Sequence, residues 1–395
     1  MSLAYQFYIA TLLVYAAVYI TGAWGLNFQF GVAGVFNFGY ILTIAAGAYG
    51  AAITSIGAPV TGLLGGAGQR YFWGASWPYP LPLLFGAICG MFIGGLMGLV
   101  SLRRLRSDYQ AITTLIMSLI ATDVITNSIG IFNGASGLTS IPNPMYGLAN
   151  GSVTLERWYY VFLSAFVCLV AGLIMRRLMF SPLGRALRAL RDNATALEAF
   201  GRTTSWLRVF TFLVGGFFGG LSGALLVQFI GAWSPAAWLY AETFVLFTAI
   251  IVGGTGSFWG AGLGAVLLPV LFAQVPQFFP AITSNLVSED AFQWIIIGLL
   301  AILFMWFRPQ GALPERTHRI DVGRILKRSG LHANGSLSQT AGGATLTASD
   351  LAPAASSIGQ AGLDANPLGH ANGPTAPNLS LRVQSGTERD GEINE

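Results

Sequence analysis

Lysine is nearly absent from this chain. Lys327 is the single lysine among 395 residues, and Arg328 follows it where a phosphate-binding loop would have Ser or Thr. A nucleotide-binding P-loop holds phosphates with a Gly-Lys-Ser/Thr run, so this chain does not hydrolyse ATP through one. Cysteine is scarce as well. Cys89 and Cys168 both fall inside apolar runs, where they read as small buried hydrophobes, which excludes a disulfide framework. Charged residues make up only 9%, against roughly 25% in a soluble domain. No Phe, Trp or Tyr occurs from Arg308 to Glu395. Such a stretch cannot bury enough apolar surface to offset the entropy of ordering, so disorder is expected beyond about Ser329. No metal site is expected, and no cleavable signal peptide, because the N-terminus lacks a basic region ahead of its first apolar run.

What is present is apolar residue in long continuous runs: 54% of the chain is hydrophobic, with a mean hydropathy of +0.63. Continuous rather than alternating runs argue for membrane-spanning helices and against a β-barrel. The expected fold is all-α, a polytopic membrane protein with about nine crossings (eight to ten) at roughly 20 residues each. The first is Tyr5–Trp24, whose Thr11, Tyr15 and Tyr19 line one face for interhelical hydrogen bonds. Leu26–Ala52 is punctuated by glycines and carries Asn27 and Asn37, so it is one span with a lead-in or a broken helix. Leu81–Leu102 places Gly86, Gly90, Gly94 and Gly98 on one face, a surface for close helix packing. Gly215, Gly219 and Gly223 repeat that pattern in Val209–Ile230. Trp73 and Trp77 stand in a loop and suit the membrane interface, and Trp233 and Trp238 stand in a short external loop over Gly231–Tyr240. Gly253–Val266 is Gly-rich without the acidic ribose ligand of a dinucleotide site, and is read as close packing or a broken helix.

Tyr109–Phe132 is the most polar span. Thr114, Ser118, Thr122 and Thr126 share a face, flanked by Asp123 and Asn127. A carboxylate inside a span is a functional-site hypothesis, so this stripe, with Asn37, is a candidate lining of a translocation path or else a structural hydroxyl network. Asp123 reads as the only clear mid-span carboxylate, which weakens the case for an ion-coupled secondary transporter.

Arginines mark the aqueous side. Arg103, Arg104 and Arg106 end one span, Arg176 and Arg177 another, and Arg308 the last, which assigns those ends to the cytoplasm. The span count then puts the N-terminus outside. Between two spans lies Ser181–Gly201, with Arg185, Arg188, Arg191, Asp192 and Glu198. At roughly 3 kcal/mol per charge in lipid this segment belongs in water. Ser181-Pro182 is a helix start, Asp192 or Asn193 caps a second short helix over Ala194–Phe200, and Gly201 ends it. Glu198 and Arg202 are spaced to pair at i, i+4. This is either a docking surface or a solvated basic loop.

Four stretches together resemble the permeases of branched-chain amino acid ABC importers, the LivH/LivM type: GVAGVFNFGYILTIAAGAY, NGASGLTSIP, SPLGRALRALRDNATALEAFG and IIVGGTGSFWGAGLGAVLLP. The resemblance covers most of Leu26–Pro309 and departs from the family at NGASGL, where a double-Gly turn is common. It implies a permease domain over residues 1–309, with a cytoplasmic coupling loop at 181–208. Residues 310–395 would be a cytoplasmic tail, first basic along the membrane and then disordered. It implies a coupling helix in which Arg188, Asp192, Ala196, Glu198, Gly201 and Arg202 meet an ATPase subunit. It implies no cofactor on this chain, with ATP used by the partner. The expected partners are a homologous second permease, two ATP-binding subunits and an external substrate-binding protein, in a bacterial inner membrane. The expected cargo is a branched-chain or other hydrophobic amino acid, with urea or short amides the alternative.

Overall fold

The computed structural model describes residues 3–57, 69–101, 107–145, 152–271, 289–308 and 310–315. Arg103, Arg104 and Arg106, the basic stretch from Arg316 to Arg328 and the tail expected to be disordered lie outside the described residues. The described unit falls within Met1–Thr317.

The elements run α1 (Leu3–Asn27), continued by a π-helical turn (Phe28–Val32), then α2 (Tyr40–Ser55), α3 (Leu81–Ser101), α4 (Ser107–Asn127) and the single turn α5 (Ile129–Phe132). After them come α6 (Val153–Phe180), α7 (Pro182–Asp192), α8 (Ala194–Ala199), α9 (Thr204–Ile230), α10 (Tyr240–Gly253), α11 (Phe258–Val266) and α12 (Glu289–Phe307). Among the described residues β pairing is confined to two isolated bridges, Tyr71–Phe132 and Leu138–Trp233. Among the described residues six helices are long and apolar enough to cross a membrane, and three apolar helices are shorter: Tyr40–Ser55, Phe258–Val270 and Ile295–Phe304. Nine crossings would need all three of the short ones.

Helix α9 is the hub. Its Gly216 and Gly220 face α3, where a Cβ on Gly90 would lie 2.5 Å from the Gly216 carbonyl oxygen. The next positions turn to the other side: a Cβ on Gly223 would strike the Ile44 carbonyl of α2, and one on Gly219 the Thr43 hydroxyl. Two glycine faces on one helix let three backbones approach to within a Cβ's width. Packing of this kind, not the hydrophobic effect, holds helices together in lipid. Tyr40 ties the cluster to α1, its hydroxyl lying 2.9 Å from Gly22 O and 3.1 Å from Gly215 O.

The Leu26–Ala52 region is a broken helix, and the break falls later than the apolar run suggests. The first helix does not stop at Trp24. It continues to Asn27 and through the π turn, and the chain leaves helical form only at residues 34–37. The Gly-rich run near Gly253 is a second break: α10 ends there and α11 starts after four intervening residues.

Candidate functional site

The water-exposed loop forms first from local chemistry. The Ser181 hydroxyl accepts from the Gly184 N–H at 3.3 Å, with Pro182 in the first helical turn, and so starts α7. Leu187 and Leu190 are buried along one side of α7 while Arg185 is exposed. Asn193 is extended and accepts from the Ala196 N–H at 3.0 Å, which caps α8. Gly201 closes α8 at φ +75°, donating to Glu198 O at 2.9 Å. That left-handed conformation suits glycine and strains a β-branched residue.

The outer surface of α8 mixes small apolar groups with Thr195 and Glu198. Ala196 and Ala199 are exposed, and Phe200 is 86% exposed at the tip, beside the exposed Asp192 and Arg202. Arg202 does not pair with Glu198 as its spacing suggests. The Glu198 carboxylate accepts instead from the Thr204 hydroxyl at 2.5 Å, because the chain turns at Gly201 and brings the start of α9 closer. Glu198 therefore braces the loop against α9.

The inner side of α7 is tied to both broken helices through one carboxylate. Arg188 donates to Glu315 Oε1 at 2.5 Å, and Arg191 to Glu315 Oε2 at 3.1 Å. Arg188 also reaches Met179 O at 3.2 Å, and Arg191 also donates to Gly31 O inside the π turn. Gly34 leaves the room for this: a Cβ there would lie 2.7 Å from Arg191 Cγ. Glu315 follows the last helix, on a segment that folds back. The Ala312 and Leu313 N–H groups donate to Val252 O and Gly253 O at 2.8 and 2.9 Å, which satisfies carbonyls left open at the end of α10.

A second set of bonds joins the two breaks to each other. Asn27 accepts from the Gly256 N–H at 3.0 Å and donates to Ser257 O at 3.2 Å. Trp24 donates to Phe258 O at 3.0 Å and stacks on the Phe258 ring at 4.7 Å. Through these bonds α7 is linked to two helix interruptions at once. π-helical turns and breaks of this kind occur often at functional sites.

The proposed path residues separate into two groups. Asn37 and Thr114 come together at the first break. Asn37 is buried and donates to Gln29 Oε1 at 3.0 Å, and the Thr114 hydroxyl accepts from the Phe38 N–H at 3.1 Å. Ser118, Thr122 and Thr126 return their hydroxyls to carbonyls of α4 itself. Asp123 and Asn127 are exposed on α4 among Ile116, Ile120 and Val124.

Two residues were missed from sequence. Glu315 hides in the basic segment after the last span, and only the fold-back reveals its partners. Asp123 is also not the one carboxylate inside a span: Glu242 lies in the apolar stretch Pro235–Gly253, three residues into α10.

With this geometry in view, comparison with known proteins decides the family. The description "Branched-chain amino acid transport system / permease component" matches residues 8–306. The chain belongs to this family of transport permeases. LivM of Salmonella typhimurium, a high-affinity branched-chain amino acid transport permease, is 29% identical over 318 residues, covering 75% of this chain and 68% of that protein. The probable LivM of Methanocaldococcus jannaschii is 27% identical and covers 78% of this chain and 94% of its own length. LivH of S. typhimurium matches a shorter region, 29% identical over 153 residues. No solved structure matches. The chain is a multi-pass helical membrane protein and a permease, as the four quoted stretches imply.

Proposed function

We propose that this permease is the membrane-spanning subunit of an ATP-driven importer for branched-chain or other hydrophobic amino acids. Its partners in this reading are a homologous second permease, two ATP-binding subunits and an external substrate-binding protein. The chain binds no cofactor of its own, and ATP is used in the partner. The arginine-marked ends, with the loop at 181–208 and the C-terminus, face the cytoplasm of a bacterial inner membrane. Residues 1–309, with the fold-back at 310–315 packed on them, form the permease domain, and the rest of the chain a tail.

One observation carries the reading: α8 presents Phe200, 86% exposed, from a loop anchored to both broken helices. An exposed large apolar group on a rigid, water-facing tip is a docking feature. A partner that grips α8 moves α7, and Arg188 and Arg191 pull on Glu315 and Gly31. The breaks at the ends of α1 and α10 are then rearranged together, which suits alternation between outward and inward openings. Asp192, Ala196, Gly201 and Arg202 lie on the exposed rim of the same tip, in reach of a docked subunit. Asp123 and Asn127 fit the second permease or a water-filled path, because a carboxylate turned to lipid costs roughly 3 kcal/mol.

The test is a reconstituted complex in which leucine and urea uptake and ATP hydrolysis are measured together. Wild-type complex accumulates leucine and not urea. Gly201→Val inserts normally but lowers uptake per ATP by about tenfold, the equivalent of about 1.4 kcal/mol. Phe200→Asp releases the ATPase subunit on purification. Unchanged coupling in Gly201→Val together with full ATPase retention in Phe200→Asp would overturn the docking role.

A further inference from the structure

A cavity lies toward the opposite end of the bundle, away from the coupling loop. Residues of α1, α2, α9 and α10 and of the loop after α9 enclose about 190 Å³. That suits one amino-acid-sized molecule and is smaller than the roughly 300 Å³ at which pockets take drug-sized ligands. Tyr15 and Tyr19 place the cavity roughly 12–18 Å along α1 from Asn27, at 1.5 Å per residue. It is therefore separate from the clamp.

Two groups in its wall have polar capacity that the chain does not use. Glu242 is half-buried, and among the described residues no hydrogen bond or ion pair reaches its carboxylate. An anion within a span calls for a cation, and the wall supplies none. Trp233 is 3% exposed, and its indole N–H is buried without an acceptor. A buried donor left unpaired costs about 1–3 kcal/mol. The Trp233 backbone is pinned to Leu138 by paired bonds of 2.8 and 2.7 Å, and a Cβ on Gly137 would collide with its carbonyl oxygen. Much of the remaining wall is aliphatic, with Ile41, Ile44 and Leu246.

We infer that this cavity is a binding site for a zwitterionic amino acid with an aliphatic side chain. Glu242 receives the α-ammonium, the Trp233 indole N–H donates to the α-carboxylate, and the aliphatic wall takes the side chain. One anion, one donor and an apolar wall are the complement of such a molecule. Urea has no charge for Glu242 and no apolar group for the wall. The site rests on the importer reading and adds to it a place where cargo is held inside the membrane.

The test uses the reconstituted transporter with Cys89 and Cys168 replaced by Ala and Leu226→Cys placing a thiol in the cavity wall. Labelling by a small methanethiosulfonate is timed in the presence of leucine, of isocaproate, which lacks the ammonium, or of isopentylamine, which lacks the carboxylate. Leucine is expected to protect at concentrations at least about tenfold lower than either analogue. Adding Glu242→Gln should erase the advantage over isocaproate, and Glu242→Asp should restore part of it. Adding Trp233→Phe should erase the advantage over isopentylamine. A merely structural role for either residue would weaken all three protectants alike, and that result would overturn the site. Equal protection by leucine and both analogues would overturn it too. If Leu226→Cys does not insert, Ile44→Cys serves in its place. Wild-type complex that accumulates no leucine, isoleucine or valine would bring down the importer reading and the site with it. Uptake of leucine without protection would bring down the site alone.

Discussion

Glycine does opposite work in two regions of this molecule. In α9 it keeps a helix intact and crowded: Gly216, Gly219, Gly220 and Gly223 stay helical and let α2 and α3 touch the backbone. Between α10 and α11 it lets the helix stop, with Gly254 at φ +122° and Gly256 at φ +76°. The first use makes a scaffold that cannot give. The second makes an interruption whose backbone groups are held by Asn27, Ala312 and Leu313 and can be released. A transporter that alternates needs both: something to move and something to move against.

Substitutions can break that contrast. The largest effect is expected in the scaffold. Gly220→Leu would put a Cβ 2.7 Å from Gly86 O, with the rest of a side chain beyond it. Overpacking usually costs about 1–3 kcal/mol or more, and here the obstacle is backbone, which cannot rotate away. Loss of folded protein in detergent, read by size-exclusion profile and melting temperature, is the expected outcome. A well-folded Gly220→Leu would show that the three helices are not locked.

An intermediate effect is expected at the interruption. Glu315→Gln keeps the shape of the clamp and removes its charge, leaving Arg188 and Arg191 side by side without their shared anion. Both pairs are partly solvated, so the loss of stability should stay within about 1 kcal/mol per pair. Uptake per ATP should fall several-fold while the melting temperature barely moves. A fall in melting temperature with coupling intact would make Glu315 part of the scaffold instead. The smallest effect belongs to Asp123, which serves neither region. Asp123→Asn on the exposed side of α4 should leave folding alone and shift uptake by no more than about twofold, since exposed positions away from special features change stability by about 0.5 kcal/mol or less. A large loss of uptake would show that the charge of Asp123, and not only its polarity, is needed on the path or against the second permease.

The scaffold was legible in the sequence because glycines at fourfold spacing mark a face on any helix, whatever packs there. The capped pair α7–α8 was legible for the same reason: Ser181, Pro182, Asn193 and Gly201 act on their own neighbours, and local chemistry does not depend on the rest of the fold. The clamp was not legible. Glu315 lies 127 residues from Arg188, and nothing near it in sequence announces a partner. Polarity was also a poor guide to the interior. Of the most apolar stretch of α9, 72% is buried, against 22% in α4, the most polar span. In lipid the exposed surface is as apolar as the buried one, so the polar stripe drew attention to α4. Glu242 and Trp233, in a short span and a loop, carried no periodic signal at all.

The fold-back after α12 sets a clock on the second break. While the Ala312 and Leu313 amides are bonded to Val252 and Gly253, α10 cannot be extended through Gly254 into one continuous helix. Each straightening must first expose those two amides to solvent. Their hydrogen-exchange protection therefore reports how readily the break opens, and a change in that protection on adding ATP would show the partner's cycle reaching the membrane.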